Sequence, residues 1–371
     1  MQRFYNFPIS PHIGSTFSTF LKVISKGFVE PRYYIKILFT GLIILIATPF
    51  HFWDFVWYRK KIREYRFLKE PLFIIGHWRS GTTLLHNCLC MDKTHGYLTT
   101  YHSLFPYNQK SKFLFKTLCR IGIPAKRVSD NMKMNLNYPQ EEELALGNVH
   151  PNFYYNFFYF PTGYREFYEK AVHLDVPVHK IDEWKKAYVD LLKKAAINTK
   201  AERMIVKNPV NTARIQILLE LFPNAKFLFL YRNPYTVYFS TQLFFHNLLP
   251  TIWLQRVDKT FIDQMIFDVY GRLMEDYNAQ KHLIPQGNLL ELKFEEFEEN
   301  PVEVLNTIYT DLLKEDFGRV RETFTLYLKT LKKYEKNKFT VRKNAADAVS
   351  LHLKKFITNW NYTLPEEIIV S

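Results

Sequence analysis

The sequence predicts an α/β protein, a three-layer sandwich around a mostly parallel sheet, preceded by an apolar N-terminal helix. Three observations carry this. Short and nearly continuous apolar runs at Pro71–Ile75, Met204–Val206 and Lys226–Tyr231 read as strands buried on both faces, as parallel strands are. Each run ends in a glycine or X-Pro turn followed by a helical pattern, so strands and helices alternate. Ahead of them, Ile37–Trp53 holds seventeen residues without Asp, Glu, Lys or Arg.

Composition narrows the function classes. With 371 residues and 47% hydrophobic content the chain has enough apolar surface for a large core, which excludes wholesale disorder. Aromatics make up 17% and must line a core, a membrane face or an apolar pocket. The net charge of +14 suits a polyanionic small ligand or an anionic lipid surface. It also suits nucleic acid, but no zinc-ligand spacing or RNA-binding signature accompanies it, so no nucleic-acid partner is expected. Only Cys88, Cys90 and Cys119 are present, which argues against a disulfide framework and for a reducing compartment. Cys88 and Cys90 face different directions on a predicted helix, so they read as small core residues and no metal site is expected.

Residues 1–34 are irregular, aromatic and basic, and show no signal-peptide pattern. The apolar run that follows is at the lower limit for crossing a bilayer, and Pro49 and His51 interrupt it. Arg32 and Lys36 precede it; Arg59, Lys60, Lys61 and Arg63 follow; Trp53, Trp57 and Tyr58 resemble an interfacial belt. Basic flanks on both sides give no orientation, and a full span leaves little chain for a stem. The expectation is a helix lying in or on a membrane face or packed on the domain, with a single span as the alternative. The boundaries drawn are 1–66 for a membrane-associating segment and 67–371 for a catalytic domain, cytoplasmic and peripheral or monotopic.

Residues Gly76-His77-Trp78-Arg79-Ser80-Gly81-Thr82-Thr83 join the first strand to a helix start. Such a loop points successive N–H groups into one concavity, which favours an anion. The Gly76–x4–Gly81 spacing matches the start of a nucleotide-binding loop, but the lysine expected after Gly81 is Thr82. The cation sits inside the loop instead, at Arg79, whose fork suits phosphate or sulfate oxygens. A nucleoside-triphosphate loop and a ligand-free glycine turn are the rival readings. His77 and His86 lie close by without an evident carboxylate partner, and the structural reading applies to both as well as ligand contact.

Further on, Pro139 and the acids Glu141, Glu142 and Glu143 open a helix, which ordinary helix chemistry explains. Helical spacing puts Glu141 on the face of Leu144 and Ala145, turned inward, where a carboxylate is suited to taking a proton at neutral pH. Residues 149–180 are dense in Phe, Tyr and Pro, either an irregular core or the wall of an apolar acceptor pocket. Residues 97–106 look like a short strand and turn carrying Tyr101 and His102. From 203 to 241 strand, helix, strand and helix alternate, placing Arg79, Lys207 and Arg232 at strand carboxyl ends, where α/β sheets bind ligands.

In these motifs the chain resembles the sulfotransferases that use 3′-phosphoadenosine 5′-phosphosulfate (PAPS). Their 5′-phosphosulfate loop reads P-[KR]-S-G-T-T, here Trp78-Arg79-Ser80-Gly81-Thr82-Thr83 with Trp78 in place of proline. Their 3′-phosphate element reads R-[ND]-P-x-[DE]-x-x-x-S, here Arg232-Asn233-Pro234-Tyr235-Thr236-Val237-Tyr238-Phe239-Ser240, with Thr236 at the acidic position. Lys207 matches the lysine of their K-[ST]-x-H or K-x-P-x-H element, whose histidine is Asn211 here. Asn137–Leu146 is similar to their P-x-E-[DE]-E-x-A-L element, and Leu289–Phe297 to a late structural one.

The resemblance covers roughly residues 71–310 and implies a P-loop-like sulfotransferase fold. It also implies that His77, Arg79, Ser80, Gly81, Thr82, Thr83, Arg232 and Ser240 bind PAPS, with adenosine 3′,5′-bisphosphate as product. Lys207 would stabilise the leaving oxygen. Glu141, then Glu142, would be the base for the acceptor hydroxyl, and His102, beyond the loop, a weaker candidate. In the basic tail from Arg319 to Lys355, Lys336 and Arg342 are candidates to close over the nucleotide, or a solvated helical face. Aromatic abundance and the N-terminal segment favour a lipophilic alcohol, a sterol or lipid, as acceptor. The alternatives are a glycan acceptor, a P-loop kinase or NTPase, and a non-catalytic membrane adaptor.

Overall fold

The computed structural model describes residues 10–122, 135–331 and 339–371. The chain divides into two compact units. One comprises residues 1–69, 94–206 and 245–259; the other comprises 70–93, 207–244 and 260–371.

In the first unit, helices α1 (Phe17–Ile24) and α2 (Tyr34–Glu64) precede strand β2 (His95–Gly96), helices α4 (Thr100–Leu104), α5 (Lys112–Gly122) and α6 (Glu142–Val149), and β3 (Arg203–Lys207). Strand β2 pairs with β3 in parallel, His95 opposite Arg203. The expected apolar helix is there but longer than its apolar run: α2 carries on through Pro49 to the basic residues at its end. One side of it is buried from Lys36 to Tyr58, including Thr40, Ile44, Ala47 and Asp54. Residues 97–106 do not form the expected strand. Thr99 caps α4 instead, its hydroxyl accepting from the His102 amide at 3.1 Å, and a satisfied N-cap outweighs the local β-like composition.

The second unit holds β1 (Leu72–Ile75), helix α3 (Thr82–Leu89), β4 (Lys226–Tyr231) and β5 (Leu289–Lys293). These strands pair in parallel in the order β1-β4-β5, with Ile75 opposite Phe229 and Tyr231 opposite Lys293. All four β1 side chains are fully buried, each worth roughly 1.5–3 kcal/mol of transfer free energy. Phe73 stacks on Phe227 at 5.5 Å, tying the two central strands together. Because the three strands run parallel, the loops leaving Ile75, Tyr231 and Lys293 emerge from one edge of this sheet. A smaller parallel pair joins β6 (Phe339–Val341) to β7 (Ile368–Val370). The α/β class, with a mostly parallel sheet between helices, is the one expected. Cys88 in α3 and Cys90 just after it are buried and unbridged, and burial pushes the Cys88 thiol up to about 12. The Cys119 side chain and Lys336 lie outside the described residues.

Candidate active site

The edge where β1, β4 and β5 end carries the loop, Arg232 and Phe294 side by side. Gly76 leaves β1 at φ +138°, and a Cβ there would lie 2.3 Å from the Leu230 carbonyl oxygen, so only glycine fits. Its N–H donates to Thr212 Oγ1 at 2.8 Å, anchoring the loop's first residue. Arg79 adopts a left-handed backbone at φ +68°, a conformation that costs a non-glycine residue free energy and recurs at functional sites. Gly81 follows at φ +94°; a Cβ on it would collide with the Phe294 ring at 2.1 Å. Among the described residues the N–H groups of Gly81, Thr82 and Thr83 meet no acceptor, at the positive end of the α3 dipole.

The residues expected here divide into those that face outward and those that brace the loop. His77 is enclosed: its Nδ1–H donates to the Trp78 carbonyl at 2.9 Å and its ring lies 4.7 Å from Tyr270. Burial lowers its pKa to about 4, so the ring is neutral and is turned into the unit. The Ser80 hydroxyl donates to the His77 carbonyl at 2.8 Å, which leaves that residue bracing the loop with its side chain. Thr82 is buried and Thr83 half-buried. Arg79 is half-buried, and its Nε–H donates to Ser240 Oγ at 2.9 Å. That bond joins the two motifs read separately in the sequence.

Arg232 completes the cluster. Its guanidinium lies 4.4 Å over the Phe294 ring, the same ring that fills the space beside Gly81. Burial lowers its pKa, Glu295, Glu298 and Glu367 oppose that, and the like charge of Arg79 adds to it. The two arginines therefore share one electrostatic environment. Lys207, at the end of β3, is buried; the next residue, Asn208, donates its N–H to the Ile74 carbonyl at 3.3 Å, beside the exit of β1. Phe294 and Glu295 stand in the stretch read as structural. Their proximity to Gly81 and Arg232 follows from the β4–β5 pairing, which no local motif signals. Arg342, by contrast, is exposed at the start of the helix Lys343–His352.

The acids of the first unit occupy a different setting. Glu141 is not inside α6 with its face turned inward, as helical spacing suggested. It is the residue before the helix, with extended backbone (φ −68°, ψ 134°), and is half-buried. Glu142 and Glu143 are the fully buried pair. Each acid has a tyrosine partner: Tyr155 O–H donates to Glu141 Oε2 at 2.5 Å, Tyr188 O–H to Glu142 Oε1 at 3.0 Å, and the Tyr154 N–H to Glu143 Oε1 at 2.5 Å. Aromatics pack around them, with Tyr155 stacked on Phe158 at 4.5 Å and Phe158 edge-on to Phe245 at 6.0 Å. His102 is fully enclosed, and burial, then the charges of Lys194 and Lys112, lower its pKa to about 3. A ring that does not take a proton near neutral pH is a poor base, and this weakens the expectation placed on it.

Comparison with known proteins identifies the family. A family model described as "Sulfotransferase family" matches residues 71–314. The omega-hydroxy-beta-dihydromenaquinone-9 sulfotransferase Stf3 of Mycobacterium bovis is 27% identical over 357 residues, covering 94% of this chain and 90% of that protein. The same-named protein of Mycobacterium tuberculosis matches equally. Among solved structures, sulfotransferase STF9 of Mycobacterium avium superposes with a TM-score of 0.69 at 14% identity, covering 92% of this chain and 89% of that one. Sulfotransferase STF1 of Mycobacterium tuberculosis gives 0.63 at 14% identity, with 91% and 90% covered. At that identity the superpositions speak for the fold, and the family match spans the loop, Lys207 and the Arg232 element together. This chain belongs to the sulfotransferase family, enzymes that transfer sulfonate groups.

Proposed function

We propose that the enzyme transfers a sulfonate from PAPS to the hydroxyl of a lipophilic acceptor, working at a membrane surface. The observation that carries the donor reading is the Arg79–Ser240 bond within a cluster that includes Arg232 and three N–H groups that meet no acceptor among the described residues. This donor set fits a ligand with an anionic group at each end. PAPS supplies the activated sulfonate when bound. Arg79 and the amides of Gly81, Thr82 and Thr83 would hold the 5′-phosphosulfate, while Arg232 and Ser240 would take the 3′-phosphate. Lys207 would place its ammonium on the oxygen that gains charge as the donor bond breaks, the kind of contact worth about 100- to 1,000-fold in rate. Glu141 is the acid we assign as base: it alone of the three is partly exposed, and Tyr155 orients it.

The acceptor class is supported by the relative named for a hydroxylated menaquinone derivative and by the aromatic surroundings of Glu141. A lipid alcohol of that kind is favoured over a sterol or a glycan. Helix α2 supports the membrane setting. By length and composition it could cross a bilayer. Its exposed side nevertheless presents Ile35, Leu38, Leu42, Leu45, Ile46 and Trp53, while the opposite side is docked by polar bonds. Lys36 Nζ donates to the Thr251 carbonyl at 2.9 Å, Asn108 Nδ2 to that of Ala47 at 3.3 Å, and Asp54 pairs with buried Lys194. A span would surround these groups with lipid, whereas in-plane seating gives one leaflet only the apolar side. Flanking Arg59, Lys60 and Lys61 favour anionic headgroups.

The test is incubation with ³⁵S-labelled PAPS and separate lipid and glycan extracts, with products identified by mass. A labelled lipid alcohol is the expected product; a labelled glycan alone would reassign the acceptor. Arg79→Ala should lose about 100-fold or more of turnover, and Arg232→Ala should lose binding of adenosine 3′,5′-bisphosphate. Retention of both would remove the donor assignment.

A further inference from the structure

The end of the chain returns to the Arg232 element. Asn233 Nδ2 donates to the Thr363 carbonyl at 2.8 Å, and Thr236 Oγ1 donates to Glu367 Oε1 at 3.3 Å. Tyr362 O–H donates to Glu295 Oε2 at 2.7 Å, while the other oxygen of Glu295 accepts from the Asn233 N–H at 3.2 Å. Trp360 stacks on Tyr231, the residue before Arg232, at 5.1 Å. Immediately after Glu367, β7 pairs with β6, which fixes the far end of the segment. Residues 360–370 therefore run as a strap across the turn Tyr231–Thr236, held at Trp360, Tyr362, Thr363 and Glu367.

Thr236 occupies the first turn of the helix Pro234–Ile252 and is buried, so its hydroxyl needs a partner there. An acid at 236 would meet that need within the helix and also place negative charge beside Arg232. The chain has a neutral threonine, and the acid arrives from 131 residues further on. We propose that Glu367, carried by the C-terminal strap, is a positioning residue for the anion site at Arg232 and substitutes for the missing acid at position 236. Two arginines gathered without an anion repel one another. Carboxylates that oppose this repulsion hold Arg232 in place before the ligand arrives, which lowers the cost of organising the site on binding. The charge of Glu367 acts on Arg232 together with those of Glu295 and Glu298.

This inference rests on the reading that Arg232 receives the 3′-phosphate, and the experiment separates the two. Full-length protein is titrated calorimetrically with adenosine 3′,5′-bisphosphate and with adenosine 5′-monophosphate, which lacks the 3′ group. Glu367→Gln should weaken the bisphosphate about tenfold and leave the monophosphate within about twofold, on the scale of one charge-assisted contact. Thr236→Val, which cuts the same bond from the other side, should do likewise and serves if Glu367→Gln folds poorly. Glu367→Gln combined with Thr236→Asp should recover bisphosphate affinity. Unchanged bisphosphate binding in the single variants, equal loss for both nucleotides, or no recovery in the double variant overturns the role of Glu367. If Arg232→Ala leaves bisphosphate binding intact, the underlying donor reading fails instead.

Discussion

The cations at the edge of β1, β4 and β5 and the acids opening α6 are both charged clusters in apolar surroundings, yet they handle charge in opposite ways. Around Gly81, two like charges are gathered, left half-buried and braced by a hydroxyl and an aromatic ring, beside three N–H groups that meet no acceptor among the described residues. Glu142 and Glu143 are fully buried, and each accepts a hydrogen bond from a tyrosine, through the Tyr188 O–H and the Tyr154 N–H. The buried Asp54–Lys194 pair of the first unit follows the same rule, with Asp54 also accepting from the Lys110 N–H at 2.7 Å. A buried group that already has its partner is costly to disrupt and offers little to a ligand. Gathered, partly exposed like charge is what a phosphate- or sulfate-binding site requires, and that is the role proposed for it.

Substitutions in the two regions should therefore separate stability from activity. The largest effect is expected for Asp54→Asn, which leaves the buried Lys194 ammonium without its counter-charge and should cost about 3–5 kcal/mol of unfolding free energy. Urea unfolding monitored by tryptophan fluorescence reads it; a loss under about 1 kcal/mol would show that the pair is not what holds α2 down. Next comes Gly81→Ala. Its Cβ meets Phe294 and its φ is positive, so the loop and the Arg232 stack must shift. Sulfonate transfer should fall about 100-fold, the effect of one misplaced transition-state donor. Wild-type turnover in this variant would mean that the loop tolerates relaxation and that the cluster is not preorganised.

A smaller, sharper effect is expected at Tyr155→Phe, which removes one hydrogen bond from Glu141 and leaves the donor cluster untouched. Turnover should drop roughly tenfold with unchanged affinity for adenosine 3′,5′-bisphosphate, since a hydrogen bond to a charged group contributes about 1.5–3 kcal/mol. A change in nucleotide affinity with normal turnover would remove Glu141 from the chemistry. The smallest effect is a pH dependence. Burial holds His12 and His102 at about 3 and His77 at about 4, below the unfolded value of about 6.5. All three are neutral when folded, so the unfolded chain binds more protons at acidic pH. Stability is therefore full above about 6.5 and declines as pH falls towards the folded values, by up to about 1.4 kcal/mol per pH unit for each histidine. Urea midpoints at pH 7.5, 6 and 5 should fall in that order, and His102→Phe should flatten the slope.

Different parts of this arrangement were legible to different degrees. The strand β4 was readable to the residue because a fully buried parallel strand must be apolar along its whole length. The turn through Gly76, Arg79 and Gly81 was readable because two closely spaced glycines after an apolar run supply the positive-φ backbone that a tight strand-to-helix loop needs. Around His102 and Glu141 the local structure departs from expectation for a shared reason. Both lie where the chain changes conformation, and there a single cap decides the local backbone more strongly than periodicity does: Thr99 starts a helix in place of a strand, and the α6 boundary falls one residue after Glu141. Phe294, Glu295 and Glu367 gave no local signal, because their places depend on which strands pair and where the tail returns.

From residue order alone came the alternation of strand and helix, the glycine-bounded loop before α3 and the basic residues at strand ends. These are properties of a few consecutive side chains and of the backbone conformations they permit. What needed the folded chain was the company those residues keep. Arg79 meets Ser240 across 161 positions and Thr236 meets Glu367 across 131, and α2 has one docked side and one bare side. Contacts over such separations are set by strand pairing and burial acting on the whole chain at once, so no short stretch contains them.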